Sequence, residues 1–358
     1  LSEETLMKAL ILGDRFMTNE VLTECFKAAF KDYPEEIEIV YHSDNWPLDP
    51  VERNDEVCEY CGDDAEIIGL IRDVDILLTH TGCITRRVIE AAEKLKVIGV
   101  GRGGPVNINV KACTERGIPV MYAPGRNSGA VAEFTIGLML AATRNIASCH
   151  HSFYTDRKWR GDMYAYSFIG NELSHSVVGL IGFGAIGSKV AKILRAFGSS
   201  ILVYDPYIGE EAAELCRCRF TDLDTVLRES DIISLHARYT PETRGMIGER
   251  EIEKMKRTAY IINTARGELI DHAALYEALK TGRLAGAALD VFEDEPPRKD
   301  SELFNLKNVV ACTHLGGASR QAAIIGATRA CEGVYQVITG GKPEFCANKE
   351  VFDNKPAI

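Results

Sequence analysis

The sequence has no run rich in lysine and arginine, and its 41 basic residues are outnumbered by 52 acidic ones, for a formal net charge of −11. That balance argues against a nucleic-acid surface or a docking face for anionic lipid. No apolar stretch approaches the roughly 18 residues that a spanning helix needs. The opening LSEETLMKALILG lacks a basic segment followed by an apolar core, so a soluble, cytoplasmic protein is expected. Low-complexity tracts are absent. Cysteine is present, but eleven is an odd count, and Cys58-x-x-Cys61 and Cys216-x-Cys218 are the only close pairs. Neither has a second pair or a histidine couple at zinc spacing, so reduced thiols and no bound metal are expected. Met7 opens the first apolar strand, and the residues before it carry no weight.

At 358 residues the chain exceeds the size at which one core stops growing, so two domains are expected. The most informative stretch is VVGLIGFGAIGSKVAKILRAFGSSILVYD, Val177 to Asp205. An apolar run, Val177 to Ile181, reads as a buried parallel strand. Gly182-x-Gly184-x-x-Gly187 follows, then a helical pattern (Ile186, Val190, Ile193, Leu194, Phe197), Gly198 as a stop, a second strand Ile201 to Tyr204, and Asp205. In such a unit Gly182 permits the tight turn, Gly184 lets backbone approach a pyrophosphate, and Gly187 lets the helix pack closely on the strand. The helix N-terminus receives phosphate. Asp205 is placed to bond an adenosine ribose and repel a 2′-phosphate, which favours NAD over NADP.

Strands and helices alternate along the chain, and the alternation predicts parallel sheets. Before the glycine motif, strands are expected at Lys8 to Leu12, Ile37 to Val40, Asp75 to Leu78, Val97 to Val100 and Ile118 to Met121. Helices are expected near Thr18 to Phe30, Ala65 to Ile71, Arg86 to Lys94 and Val110 to Glu115. A segment from Ser128 to Asn145 is apolar nearly all round, as a buried connector between two domains is. After the motif, strands are expected at Asp231 to Leu235, Tyr260 to Asn263, Ala285 to Asp290 and Val309 to Ala311, then a final helix from Ser319 to about Thr339. No appended regulatory domain is expected beyond it.

Ligands of open α/β sheets bind beyond the carboxyl ends of the strands, so the polar residues there are the candidates. They read Asn263-Thr264-Ala265-Arg266-Gly267, then Asp290 to Pro296, then Thr313-His314-Leu315-Gly316-Gly317. One arginine, one carboxylate and one histidine stand out. A guanidinium clamps a substrate carboxylate bidentately, an imidazole exchanges a hydroxyl proton near neutral pH, and a carboxylate on the far ring nitrogen stabilises imidazolium. That trio suits reversible hydride transfer at a hydroxy acid.

From roughly Ile76 to Gly340 the chain resembles the D-isomer-specific 2-hydroxyacid dehydrogenases, nearest to phosphoglycerate-dehydrogenase-like members. The motifs in order are EAAEKLKVIGVGRGG, NSGAVAEFTIGLML, VGLIGFGAIGSKVA, LHARYTPETRGMIG, INTARGELID, GAALDVFEDEPP and THLGGAS. The resemblance implies an α/β protein of two doubly wound parallel-sheet domains with a cleft between them. One is a flavodoxin-like substrate domain, discontinuous over 1–126 and 315–358; the other is a Rossmann NAD domain over 127–314. It also implies a homodimer formed through the NAD domain. By the same resemblance Arg266 binds the substrate carboxylate, Glu295 is the glutamate before proline, and His314 is the acid/base. NAD would be held by Gly182, Gly184, Ala185, Ile186, Gly187, Asp205, His236, Ala237, Thr264, Ala265, Arg266, Asp290, His314 and Gly316. The implied reaction passes a hydride between NADH and the α-carbon of a 2-keto acid while His314 gives a proton to the carbonyl oxygen.

Several positions depart from the family pattern. Many members have a glycine-rich loop and an aspartate where this chain reads Gly101-Arg102-Gly103-Gly104-Pro105-Val106-Asn107. Arg102, Gly103 and Gly104 inherit the loop's substrate-carboxylate role, and His80 and Arg126 add to a site suited to a second anionic group or a polyhydroxylated chain. Loop charge and a solvent-facing histidine are the plain alternatives. Arg238 replaces an apolar residue or proline and stands to meet adenine or ribose. Aromatics between Trp159 and Ile169 serve a subunit contact or cover the helix before them. A short-chain dehydrogenase is excluded because Tyr154-x-x-x-Lys158 precedes the glycine motif, and Glu295 argues against the formate-dehydrogenase branch, which has glutamine there. An NAD(H)-sensing corepressor or scaffold that keeps the same trio is the reading from another class.

Overall fold

Short, mostly apolar runs, many of them followed by a helix, fold into two parallel sheets. The computed structural model describes residues 6–208 and 216–353. Two units divide the chain: Leu1–Asn127 with Ala318–Ile358, and Ser128–Gly317.

In the first unit β1 (Met7–Gly13), β2 (Ile37–Ser43), β5 (Ile76–Thr79), β6 (Val97–Val100) and β7 (Val120–Met121) form a five-stranded sheet in the order β2-β1-β5-β6-β7. β3 (Glu52–Arg53) and β4 (Cys58–Tyr60) make a separate antiparallel pair, which the residue pattern does not announce. Helices α1 (Asn19–Ala29), α2 (Asp64–Ile71), α3 (Arg86–Ala91) and α4 (Val110–Glu115) connect the strands. Side chains alternate across the sheet: Leu10, Leu12, Leu77 and Ile98 enter one core, while Ala9, Ile11, Ile76, Leu78 and Val97 enter the other. Each full burial of such a side chain is worth about 1.5–3 kcal/mol.

The second unit opens with α5 (Ser128–Thr143) and α6 (Ile146–Tyr154), followed by β8 (Val177–Ile181), α7 (Gly187–Phe197) and β9 (Ser200–Tyr204). Then come β10 (Arg219–Phe220), α8 (Leu223–Glu229), β11 (Ile232–Leu235), α9 (Glu249–Lys254), β12 (Tyr260–Asn263), α10 (His272–Lys280), β13 (Gly286–Leu289) and β14 (Val309–Ala311). The sheet order is β10-β9-β8-β11-β12-β13-β14, with every neighbouring pair parallel. α5 differs from the expected all-round burial: it packs on α7 and on β12, β13 and β14 and leaves Gly129, Glu133 and Gly137 exposed. Residues four apart share one side of a helix, so this line is its solvent face. Phe197, expected on the buried stripe of α7, is 42% exposed.

The last helix, α11 (Arg320–Ile338), belongs to the first unit and packs on α1 and β6. Small residues permit the approach: a Cβ on Gly333 would lie 3.0 Å from Met121 Cγ.

Candidate active site

In both sheets the direction of winding reverses at one point, and the crevice beside the strand ends there is the usual ligand site. In the second unit it lies between β8 and β11, flanked by Gly182 and His236. Gly182 has φ +97°, and a Cβ on it would lie 2.5 Å from Ala237 N. A Cβ on Gly187 would lie 2.3 Å from Gly182 O, whereas around Gly184 there is nothing within 4 Å. Gly184 and Ala185 are exposed, and Ile186 is the N-cap of α7. Two glycines are thus demanded by the protein's own packing, while the middle one borders open space, as a loop that takes a pyrophosphate must.

Asp205, just past β9, accepts Phe183 N–H at 2.7 Å and Tyr207 N–H at 2.9 Å. Each oxygen retains a lone pair for a hydroxyl. The His236 ring bonds Ser234 Oγ through Nε2 at 3.0 Å, and its buried Nδ1 has no partner among the described residues. Burial pushes its pKa down to about 4, so the ring is neutral. These features fit a dinucleotide.

The catalytic candidates lie on the loops after β12, β13 and β14. Asn263 shapes the first, its side chain accepting Ala265 N–H at 3.0 Å and donating to Arg266 O at 2.8 Å. Thr264 Oγ1 is 2.8 Å from Thr135 Oγ1 on α5. Arg266 is exposed and donates from Nη1 to Ala265 O. Asp290, buried at the end of β13, accepts Leu315 N–H at 2.8 Å and Gly316 N–H at 2.7 Å, and its carbonyl accepts His314 N–H. His314 has φ +58°. Asp290 therefore pins the turn on either side of a residue in the left-handed region.

His314 Nδ1 meets Glu295 Oε2 at 2.7 Å, and Glu295 Oε1 accepts Phe292 N–H at 3.0 Å. The Glu295 hydrogen bond raises the His314 pKa above the usual 6.5 against the opposing effect of burial. For Glu295, burial acts upward but is outweighed by the bond from His314, and the carboxyl lies below its usual range. The positive charge of Arg266 acts on both groups. Arg266, Glu295 and His314 thus gather at one end of this sheet.

In the first unit Arg102 donates to Glu59 O at 3.1 Å and pairs with the Glu59 carboxylate. The amides of Arg102, Gly103 and Gly104 have no partner among the described residues. His80 is not solvent-facing: it is 1% exposed, with Nδ1 2.5 Å from Asp14 Oδ2 and Nε2 3.2 Å from Arg126 Nη2. Asp14 was missed in the sequence, although a polar residue directly after the first strand was the available signal.

A model of the D-isomer specific 2-hydroxyacid dehydrogenase NAD-binding domain matches residues 136–316. The chain belongs to this family, and NAD is the cofactor its second unit binds. It is 45% identical over 79% of its length to a D-3-phosphoglycerate dehydrogenase of Methanocaldococcus jannaschii, covering 53% of that protein. It is 42% identical over 81% of its length to a glyoxylate reductase of Thermofilum pendens, covering 86% of it. The chain spans about half the length of the curated phosphoglycerate dehydrogenases it matches. Among solved structures it resembles the NAD-complexed D-isomer specific 2-hydroxyacid dehydrogenase of Lactobacillus delbrueckii ssp. bulgaricus, at 27% identity and a TM-score of 0.76. That match covers 96% of this chain and 100% of the other. No helix among the described residues is long and apolar enough to cross a membrane.

Proposed function

We propose that the protein interconverts a 2-keto acid and a D-2-hydroxy acid. The observation that carries this is the His314–Glu295 pair at 2.7 Å with Arg266 alongside. The cofactor, when bound, would supply the hydride for reduction as NADH and accept it in oxidation as NAD. Glu295 occupies Nδ1 and leaves Nε2 of His314 to hold the proton exchanged with the substrate oxygen. Arg266 has donors beyond its bond to Ala265 O, and these bind the substrate carboxylate. In the first unit the amides of Arg102, Gly103 and Gly104 offer further N–H groups suited to a carboxylate. Gly182, Gly184, Ala185, Ile186, Gly187, Asp205, His236 and Ala237 hold the dinucleotide, with Thr264, Ala265, Asp290 and Gly316 at its nicotinamide end. Relatives named phosphoglycerate dehydrogenase and glyoxylate reductase support a small acid as substrate.

The chain works as a homodimer. Trp159 meets Phe153 of α6 edge-on at 6.5 Å, but Trp159, Tyr164 and Tyr166 are 86, 92 and 91% exposed, and aromatics in the open favour a subunit contact.

The test is NADH oxidation against glyoxylate, hydroxypyruvate and 3-phosphohydroxypyruvate, beside His314→Gln and with NADPH as alternative donor. Turnover that falls about 10²–10⁴-fold in the variant supports the reading. Tight NADH binding with no turnover of any acid overturns it in favour of a sensing or corepressor role.

A further inference from the structure

The winding of the first sheet reverses between β1 and β5, and Asp14 and His80 are the residues just past those two strands. Asp14 is 2% exposed and saturated with donors. Oδ1 accepts the Phe16 and Met17 amides at 2.8 and 2.7 Å, and Oδ2 accepts Thr81 Oγ1 at 2.9 Å and faces His80 Nδ1. Burial acts upward on Asp14 but is outweighed by the His80 bond and these amides, so the carboxyl is ionised. Burial holds His80 below its usual pKa despite Asp14, and the charges of Arg126 and Arg102 act the same way. A neutral His80 facing a carboxylate carries its proton on Nδ1. Its Nε2 is therefore an acceptor, and Arg126 Nη2 donates to it at 3.2 Å.

Arg126 is seated with care. Its guanidinium lies 5.4 Å from the centre of the Phe16 ring and donates weakly to Ala322 O at 3.4 Å. Gly326 of α11 makes room for the stem: a Cβ there would lie 2.8 Å from Arg126 Cδ. Burial and the nearby Arg102 charge push its pKa down to about 10. Arg102 has Glu59 as an ion-pair partner; Arg126 has no ion pair among the described residues, because the Asp14 carboxylate is turned to His80 and the amides. A largely buried cation with unused donors is held at a ligand crevice without its own anion, a costly arrangement unless an anion arrives.

We propose that Arg126, positioned by the Asp14–His80 pair, is a specificity-determining residue. It binds a second anionic group of the substrate, carboxylate or phosphate, in the crevice of the first sheet. The inference rests on the proposed 2-keto acid chemistry and narrows the substrate to doubly charged acids.

The test compares kcat/KM of the wild type, Arg126→Met and Arg126→Lys on singly charged acids (glyoxylate, hydroxypyruvate) and acids with a second anion (2-oxoglutarate, 3-phosphohydroxypyruvate). In the Met variant the preference for the second anion should fall about 10- to 100-fold, mainly through KM, with partial recovery in the Lys variant. The group whose turnover suffers more, carboxylate or phosphate, is the one recognised. An equal loss on every acid, or no loss, overturns the proposal. Calorimetric titration of the NADH-loaded protein with D-malate and D-lactate separates the two readings. A wild type that turns over no acid defeats the dehydrogenase reading, yet an Arg126-dependent preference for D-malate still supports the anion site, and its absence rejects it. The Lys variant keeps charge and stem in the slot and serves if the Met variant does not fold.

Discussion

At the scale of single residues, the chemistry turns on which nitrogen of a histidine is occupied. Glu295 claims Nδ1 of His314, and Asp14 claims Nδ1 of His80; the outcomes differ because the surroundings differ. His314 lies on an exposed loop and its proton affinity rises, whereas His80 is sealed in the first unit and stays neutral. In the proposed reaction reduction needs His314 protonated, so the rate should persist above pH 6.5 and decline as pH rises through the raised pKa. In Glu295→Gln the Glu295 charge is gone, so the alkaline limb of the pH profile for keto-acid reduction should move to lower pH. The acid limb of hydroxy-acid oxidation should move with it. Profiles that coincide in the two proteins would remove Glu295 from the proton chemistry.

At the scale of elements, the glycine loop invites a comparison of two one-carbon changes. Gly184→Ala adds a methyl where nothing lies within 4 Å, whereas Gly187→Ala drives one to 2.3 Å from Gly182 O. The first variant should melt near the wild type but bind NADH at least about tenfold more weakly, because the methyl occupies the proposed phosphate approach. The second should lose about 1–3 kcal/mol of stability from overpacking, read as a lower Tm without cofactor. If both melt alike, the packing argument fails. Much at this scale was legible in advance. The strands Val97–Val100 and Tyr260–Asn263 are short apolar runs, and runs of that kind announce buried parallel strands. The exposed line on α5 was not legible, since a helix of glycine, alanine and leucine gives no periodic signal of which side meets water. Nor was the Asp14–His80 pair, whose members are 66 residues apart and meet only because β1 and β5 are neighbours.

For the molecule as a whole, the proposed homodimer carries its own prediction. Replacing Tyr164 and Tyr166 together by aspartate puts two charges into the exposed aromatic segment. Light scattering should then report the mass of one chain in place of two. An unchanged mass would move the contact elsewhere.

The placement of α11 has a consequence for the order in which the protein is built. Ser128–Gly317 is a single stretch and has all its partners once its last strand has left the ribosome. The first unit, although synthesised earlier, lacks the helix that covers α1 and β6 until residues 320–338 emerge. Its apolar side chains on that side, Ile11, Phe26, Ile76 and Val97 among them, must wait. The half of the chain made first is therefore the half finished last, and the interval between the two is when it is most exposed to aggregation and most in need of a chaperone.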